Sequence, residues 1–244
     1  MGDDEGTHRR GNGHHRTVDR IAAILEVVAR SDGGCTLSEL AGSLDAALSS
    51  TQGLVNGLVA TGYLNRRDRR YVLGGATYLL NRIAGRPPLS SVTHDDLVAL
   101  HRATGLTAVL SVVVGGDVFY LDHASDDPRF AYLAENHLRR PPIRNSGGWV
   151  LLAAMDKRDL WGHLRELGPD DQPWVEAFLA ALPEIRDTGI CASPSASPDG
   201  DGVSAAIVED GVVAGAVGLI GDRETISGRR DELVTHLREF VGSR

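Results

Sequence analysis

Two similar cap signals, separated by a short break, constrain the first part of this chain more than any other feature. Thr36-Leu37-Ser38-Glu39 has the form of a capping box, in which the Thr hydroxyl accepts the amide of residue 39 and the Glu carboxylate accepts that of residue 36. Ser49-Ser50-Thr51-Gln52 repeats the signal, with Ser followed by Gln three residues later, after a break at Asp45-Ala46-Ala47. The sequence therefore predicts two short helices joined by a tight turn.

The second helix is predicted to run to Thr61 and to stop at Gly62, a residue suited to a left-handed C-terminal cap. At 100° per residue its apolar side holds Leu54, Val55, Leu58 and Val59, and its other side holds Gly53, Asn56, Gly57 and Ala60. Tyr63-Leu64 and Tyr71-Val72-Leu73 then flank a basic segment at 65–70. Two capped helices followed by a basic hairpin indicate a winged helix-turn-helix, a DNA-reading unit.

The length of 244 residues allows one large domain or two of ordinary size, and the net charge of −8 is unevenly distributed. Residues 1–75 carry as many Arg as acidic residues, so the acidity belongs to the C-terminal part, which should avoid DNA. The two Cys residues lie far apart in no metal or redox spacing, which favours a reduced, cytoplasmic compartment. No apolar run approaches the roughly 20 residues of a membrane span, so we expect no membrane partner.

We predict four parts: a polar, disordered tail at 1–15, the winged helix-turn-helix at 16–75 with a support helix at 21–30, a linker at 76–92, and a second domain at 93–244. The linker includes a helical segment, 76–83, that Gly85-Arg86-Pro87-Pro88 ends.

The second domain opens with a predicted helix at 93–104, followed by a hairpin through Gly115-Gly116-Asp117. Residues 125–141 form a polar stretch around an apolar island at 130–133. Helices are predicted at 147–155, after Asp156, and at 174–188, and a polar loop at 193–202 follows. A second hairpin through Glu209-Asp210-Gly211 and a last helix at 232–241 complete an α+β domain with an antiparallel sheet.

For DNA, the pattern assigns phosphate contacts to basic side chains in the wing and in an N-terminal arm, since no Lys or Arg lies between Arg30 and Arg66. Base contacts would then fall to short polar side chains on the second helix, where Gln and Asn can pair with adenine edges. The predicted DNA-binding residues are Arg16, Arg20, Thr36, Ser38, Ser49, Ser50, Thr51, Gln52, Asn56, Arg66, Arg67, Arg69 and Arg70. Two glycines inside the second helix, Gly53 and Gly57, are unfavourable unless a surface approaches closely.

The order and spacing of these motifs resemble the isocitrate-lyase-regulator (IclR) family of bacterial transcription regulators over nearly the whole chain. The matching segments are Thr17-Val18-Asp19-Arg20, Thr36-Leu37, Glu39-Leu40-Ala41, Ser49-Ser50, Gly62-Tyr63-Leu64, Tyr71 with Leu73-Gly74, Pro141, 148–153, Glu184-Ile185-Arg186 with Gly189, Gly200, Ala205-Ala206 and Gly221. The resemblance implies a winged helix-turn-helix followed by a GAF-like effector-binding domain, and dimers or tetramers of the chain. It further implies operator DNA as a partner and a small molecule that changes DNA binding.

At several positions the chain departs from the family pattern. Gly53 stands where the family usually has an Arg on the recognition helix, and Trp149 where it has a Lys. Gly218 and Ile220 replace serines that help hold carboxylate effectors. The candidate effector-binding residues are Phe130, Ile143, Ser146, Trp149, Leu152, Cys191, Ala206, Gly218 and Ile220. Few polar groups converge among them, so we expect an apolar or aromatic effector, although each could instead be a core residue.

The sequence offers little for an enzyme, and we expect none, nor any cofactor or metal. Gly202-Val203-Ser204-Ala205-Ala206 lacks the last Gly of a nucleophile elbow and lies in a predicted strand. Asp122-His123 and Asp126-Asp127 have no partner at metal-ligand spacing. Two alternatives to a regulator stay open: a ligand-binding or assembly module without specific DNA readout, and, more weakly, a hydrolase.

Overall fold

The computed structural model describes residues 15–85, 89–135, 137–192 and 200–243, with the backbone alone at Leu133. The chain divides into two compact units, residues 1–87 and 88–244. The predicted tail, except His15, and most of the predicted loop at 193–202 lie outside the described residues. No helix in the described part of the chain is long and apolar enough to cross a membrane.

The first unit consists of helices packed against a two-stranded hairpin. Its elements are α1 (Arg16–Ala29), α2 (Leu37–Ser43), α3 (Leu48–Ala60), β1 (Leu64–Arg67), β2 (Arg70–Leu73) and α4 (Ala76–Ala84). One buried cluster joins all of these elements except α4, with Ile24 from α1, Leu40 from α2, Val55 from α3 and Leu64 from β1 each fully buried. The apolar stripes predicted from helical spacing therefore meet in one core.

The capping box of α2 is confirmed. Thr36 Oγ1 accepts the amide of Glu39 at 3.3 Å, and Glu39 Oε2 accepts the amide of Thr36 at 2.7 Å. The matching cap predicted for α3 is wrong, because α3 begins at Leu48 with Ala47 as its N-cap and no side-chain cap. The hydroxyls of Ser50 and Thr51 both donate to the carbonyl of Ala47 instead, so they serve as donors within the first turn.

The C-terminal end of α3 and the wing follow the prediction. Gly62 has a φ of +77° directly after the last turn of α3. β1 and β2 pair antiparallel, with Arg67 opposite Arg70, so that Asp68 and Arg69 form the turn. After the wing, α4 ends at Gly85, which also has a positive φ, of +68°.

The second unit is a five-stranded antiparallel sheet between two layers of helices. Its elements are α5 (His94–Thr104), β3 (Thr107–Val114), β4 (Asp117–Ala124), α6 (Pro128–Glu135), α7 (Ser146–Ala153), α8 (Lys157–Arg165), α9 (Gln172–Thr188), β5 (Ile190–Cys191), β6 (Asp201–Glu209), β7 (Val212–Gly221), α10 (Arg223–Gly228) and α11 (Arg230–Gly242). The strand order is β4-β3-β7-β6-β5. This is the α+β domain with an antiparallel sheet that the two hairpin signals predicted.

Both hairpins turn through two residues with positive φ. Gly115 and Gly116 connect β3 to β4 with φ values of +60° and +88°, and Asp210 and Gly211 connect β6 to β7 with values of +51° and +78°. Two left-handed residues in succession give the turn whose twist matches that of paired strands. The glycines in these turns are therefore required by the backbone.

The residues of each strand alternate between two cores. On one face, α5 and α11 contribute Leu97 and Leu233, which pack with Leu219 of β7. On the other face, α7 and α9 contribute Trp149 and Phe178. All eight residues of α7 are buried, which confirms the buried helix predicted at 147–155.

The stretch at 125–141, predicted only as polar with an apolar island, contains the helix α6. Pro128 begins this helix, and the carboxylate of Asp127 accepts the amide of Arg129 at 2.9 Å. Phe130 and Ala134, four residues apart, are the buried side of the helix. The signal was a proline at the first helical position preceded by a capping residue.

The connection from the first unit is anchored on the second. The amides of Ser90 and Ser91 donate to one carboxylate oxygen of Glu209, at 2.8 and 2.7 Å. Leu89 lies against Gly215, where a Cβ would be 2.6 Å from the Leu89 side chain. Ser91 first, and the amide of Ser90 in addition, hold the pKa of Glu209 below its usual value.

Candidate DNA-binding surface and effector site

The outer side of α3 is open and carries small or polar residues. Gly53, Asn56, Gly57 and Ala60 are exposed, while Val55 and Leu58 face the core, as the helical spacing predicted. A Cβ built on Gly53 or Gly57 would have no atom within 4 Å. The two glycines are therefore not required by packing within the first unit.

The two amide side chains predicted to read bases are bonded to each other. Gln52 Nε2 donates to Asn56 Oδ1 at 2.7 Å, across one turn of α3. Asn56 is exposed and Gln52 is half-buried. The pair is thus held in one arrangement along the edge of the open face.

The other predicted base-contacting residues differ in their availability. Thr51 is 1% exposed and donates to the carbonyl of Ala47, so its prediction as a DNA contact is wrong for this structure. The hydroxyl of Thr36 serves the α2 cap. Ser38, Ser49 and Ser50 are exposed, although the Ser50 hydroxyl donates to Ala47.

The arginines of the wing are exposed but do not have equivalent surroundings. Arg66 Nε donates to the carbonyl of Asp68 at 3.1 Å. The side chains of Arg67 and Arg69 form no hydrogen bond or ion pair with any other described residue. Arg70, in contrast, donates to the carbonyl of Gly34 at 2.6 Å and pairs with Glu39 at 3.3 Å.

The Arg70 contacts connect the wing to the start of α2. The amide and hydroxyl of Thr36 hold the pKa of Glu39 below its usual value, and the nearby charge of Arg70 lowers it further. A guanidinium with two internal acceptors is less available to DNA phosphate than one without them. Sequence reasoning could not separate Arg70 from its neighbours, because Gly34 and Glu39 lie more than 30 residues away.

Arg16 and Arg20 do not lie in an extended arm. Arg16 is the first residue of α1 and is exposed, and Arg20, one turn later, is half-buried. Any contact that these two side chains make with DNA must therefore come from a helix.

In the second unit, the predicted effector residues lie on the α7 side of the sheet and are mostly buried. Ala206 and Ile220 are half-buried, and the buried members are Phe130, Ile143, Ser146, Trp149, Leu152, Cys191 and Gly218. Ile143, Trp149, Leu152 and Cys191 belong to one core cluster, with Ala206 and Ile220 packed against it. The structure therefore brings six of the nine predicted residues into one cluster.

Trp149, one of the candidate effector-binding residues, is a core residue with its contacts satisfied. Its ring meets that of Phe178 edge to face, with centroids 5.5 Å apart. Its Nε1 donates to the carbonyl of Ile143 at 2.7 Å.

Polar groups converge on this face more than the sequence led us to expect. Ser146, at the start of α7, is hydrogen-bonded to Ser204 of β6 through their hydroxyls, 2.9 Å apart. Ser111 of β3 is close by, since a Cβ on Gly147 would lie 3.0 Å from its hydroxyl and 3.6 Å from that of Ser204. All three serines are buried, and the Ser111 hydroxyl donates to the carbonyl of Ala216.

Sequence reasoning missed Ser111 and considered Ser204 only as a nucleophile. In the structure, Ser204 lies within β6 and its hydroxyl meets another serine, not a base. The available signal was a single serine within each apolar strand, at Ser111 and at Ser204. Their proximity depends on the order of the strands in the sheet, which the sequence did not reveal.

Another concavity in the second unit lies between α9 and α11. It has a volume of about 380 Å³, and Ile185, Ile190 and Val234 contribute apolar surface to it. Glu184 and Arg238 are among the charged residues that line it. None of the predicted effector residues lines it. Within the described residues, no group of three or more His, Cys, Asp or Glu side chains could hold a metal ion.

Comparison with known proteins shows what the chain is similar to. Residues 17–68 match the IclR helix-turn-helix domain. No curated protein sequence matches the chain significantly.

Solved structures match over almost the whole chain. An IclR transcriptional regulator from Alicyclobacillus acidocaldarius is 22% identical, with a TM-score of 0.65, and covers 95% of this chain and 98% of its own. A candidate IclR regulator from Silicibacter sp. is 22% identical, with a TM-score of 0.72 and coverages of 93% and 94%. An IclR homolog from Microbacterium hydrocarbonoxydans, solved with 4-hydroxybenzoate, is 21% identical, with a TM-score of 0.65 and coverages of 93% and 100%. Residues 17–68 are thus an IclR helix-turn-helix domain, and the chain as a whole has the fold of the IclR family of transcriptional regulators.

Proposed function

We propose that this protein is a ligand-responsive, sequence-specific DNA-binding regulator of transcription that acts as a homodimer or a tetramer. The observation that carries the proposal is the open face of α3, which presents Gly53, Asn56 and Gly57 to the surroundings. In helix-turn-helix proteins the second helix enters the major groove with such a face.

Phosphate binding would come from the wing because α2 and α3 carry no cation. Arg67 and Arg69 are exposed and free of partners among the described residues, so their charges can neutralise phosphates without losing an internal bond. Arg70 would contribute mainly by holding the wing against Glu39 and the carbonyl of Gly34.

The surface of α4 supports assembly with a second copy of the chain. Ala76, Leu79, Leu80 and Ile83 recur at the spacing of one helical face, and the last three are 57%, 52% and 71% exposed. The helix buries none of its residues against the described part of its own chain. Covering this face with the same face of a second copy would pair two winged helices, as reading two half-sites requires.

The effector would bind on the α7 side of the second unit. The hydroxyls of Ser146 and Ser204 supply polar partners, while the half-buried Ala206 and Ile220 supply apolar surface beside the core cluster. We therefore propose an effector with an aromatic or apolar body and one polar group. The 4-hydroxybenzoate bound by the Microbacterium homolog has such an aromatic body, with a hydroxyl and a carboxylate at its two ends. Such a ligand can change DNA binding only by having different affinities for two arrangements of the paired winged helices.

A gel-shift titration against the DNA that flanks the coding region tests the proposal. We expect one or more fragments to bind in preference to unrelated DNA of the same length. Equal, weak binding to all fragments would instead support the alternative of an assembly module without specific readout.

A salt titration tests the wing separately. Removing one phosphate contact reduces the magnitude of the negative slope of log K against log salt by about 0.9. The double variant Arg67→Ala/Arg69→Ala should lower it by about 1.8 per protomer. Arg67→Ala alone is matched by Arg70→Ala, which also removes one cation from the hairpin, but one that is already bonded internally. If Arg70→Ala changes the slope as much as Arg67→Ala does, the division of roles within the wing is wrong.

A further inference from the structure

A ridge of three side chains borders the open face of α3. Leu48, Gln52 and Asn56 follow one another at intervals of four residues, which places them in a row along one side of a helix. Beside this row, Gly53 and Gly57 form a strip without side chains. Leu48, the first residue of the helix, is 52% exposed.

The bond between the two amides fixes which groups remain for a ligand. Gln52 Nε2 donates to Asn56 Oδ1, so the outer ends of the pair are an acceptor, Gln52 Oε1, and a donor, Asn56 Nδ2. If both amides were rotated by 180°, the bond would persist and the pair would still present one donor and one acceptor. The chemistry offered is therefore the same in either orientation.

This combination matches one purine better than the other. In the major groove adenine presents an acceptor at N7 and a donor at N6, whereas guanine presents two acceptors, at N7 and O6. Guanine is usually read by Arg or Lys, and neither residue occurs between Arg30 and Arg66. An amide donor and an amide acceptor side by side form the fork that adenine requires.

The remaining member of the ridge suits the partner of adenine. Thymine carries a C5 methyl group in the major groove, which apolar side chains contact. Leu48 and Gln52 are separated by about 6 Å along the helix axis, a distance of roughly two base-pair steps. Leu48 can therefore touch a thymine close to the base pair that the amides read. The strip at Gly53 and Gly57 lets the backbone approach, which brings these short side chains within reach.

We infer that α3 reads a half-site of A·T pairs, with Gln52 and Asn56 acting together on one adenine and Leu48 contacting a nearby thymine methyl. The inference rests on the proposed DNA-binding function and specifies what the DNA-binding surface recognises. It assigns sequence preference to a pair of bonded amides and a leucine, in a helix that lacks the usual cations.

The test begins with selection of bound duplexes from a random library by the full-length protein. We expect the selected half-sites to contain A·T pairs at certain positions. The base preference at these positions should be lost in the Gln52→Ala, Asn56→Ala and Leu48→Ala variants. All three positions are on the surface of α3, so the thermal unfolding of the variants should match that of the parent protein.

Base analogues in the selected site then identify the contacts. Replacing the read adenine by 7-deazaadenine, which lacks the N7 acceptor, should weaken binding of the parent protein about tenfold but leave the Asn56→Ala variant unaffected. Replacing the nearby thymine by uracil should weaken binding of the parent protein by a smaller factor and leave Leu48→Ala unaffected. Substituting 7-deazaguanine at any G·C pair of the half-site is the control and should have no effect on readout by α3.

The outcomes separate this inference from the proposed function. Failure to select any sequence would refute specific DNA binding itself. Selection of G·C pairs at the positions sensitive to Gln52 and Asn56, or of A·T pairs insensitive to all three variants, would overturn the inference and leave the regulator proposal intact.

Discussion

The two units of this protein place their candidate functional residues in opposite surroundings. In the first unit, Asn56, Arg67 and Arg69 are exposed, and a change there alters what the surface offers to a partner. In the second unit, Ile143 and Trp149 are nearly inaccessible. Substitutions in the two units should therefore separate into effects on DNA binding and effects on stability.

The glycines of α3 and α7 show the same contrast between an exposed and a buried helix. Gly53 and Gly57 of α3 have open space where a Cβ would lie, whereas a Cβ on Gly148 of α7 would be 2.1 Å from the carbonyl oxygen of Pro142. Gly148 therefore permits close packing of α7 inside the protein. A glycine in α3 has no such internal reason and is better explained by an external surface.

The largest effect should come from Trp149→Ala. The substitution removes the ring that packs on Phe178 and the N–H that bonds to Ile143, and a buried Trp-to-Ala change costs about 3–5 kcal/mol of unfolding free energy. Urea denaturation measures the loss. Trp161→Ala is the matched control, because the Trp161 side chain is 39% exposed. The urea midpoint of this variant should shift far less. Equal shifts for both variants would contradict the assignment of Trp149 to the core.

Alanine substitution of two helical glycines should give effects of opposite sign. Gly148→Ala forces a methyl group against the backbone at Pro142, and overpacking of this kind costs about 1–3 kcal/mol. Gly162→Ala in α8 meets no atom within 4 Å and should stabilise the protein by about 0.5–1 kcal/mol. Thermal or urea unfolding of the two variants provides the comparison. A stabilising Gly148→Ala would show that α7 is not packed as described.

In α3 the same substitution should separate stability from binding. Gly53→Ala and Gly57→Ala should each stabilise the helix by about 1 kcal/mol, since Ala is the better helix former and has room. The same methyl groups would keep the backbone from the base edges, so affinity for the selected DNA should fall. Unfolding curves and gel shifts on one set of samples measure both quantities. A gain in stability with unchanged affinity would show that the helix backbone does not approach DNA at these positions.

The smallest effect concerns pH and the α2 cap. The pKa of Glu39 is lowered in the folded protein, by Thr36 first and Arg70 in addition, so its stabilising contribution is present above the ordinary value of 4.5. That contribution is lost as the pH falls through the lowered pKa. The difference in melting temperature between the parent protein and Glu39→Gln should therefore shrink as the pH is lowered below 4.5. A constant difference across this range would rule out the carboxylate as its source.

Much of the fold could be predicted because its signals are local. The capping box at Thr36, the helix stop at Gly62 and the two hairpin turns each depend on neighbouring residues, and each prediction is confirmed. The predicted second cap, at Ser49, is wrong because α3 already begins at Leu48, and the Ser50 hydroxyl donates to the carbonyl of Ala47.

The site residues were harder to predict because their surroundings are tertiary. The burial of Thr51 and the bond from Arg70 to Gly34 come from residues distant in sequence or from the packing of α3 on the core. The serine cluster draws on three elements, β3, β6 and α7, that meet only in the folded domain. The apolar effector pocket inferred from the sequence omitted two hydroxyls for this reason.

The anchoring of Ser90 and Ser91 on Glu209 has a mechanical consequence. Ser204 and Glu209 lie in the same strand, β6, so the strand that meets α7 at one point also holds the incoming chain at its end. β6 is hydrogen-bonded to β7 over this length, with a register shift between Ile207 and Val208. The segment that leads into the second unit is thus held by the same strand that carries Ser204.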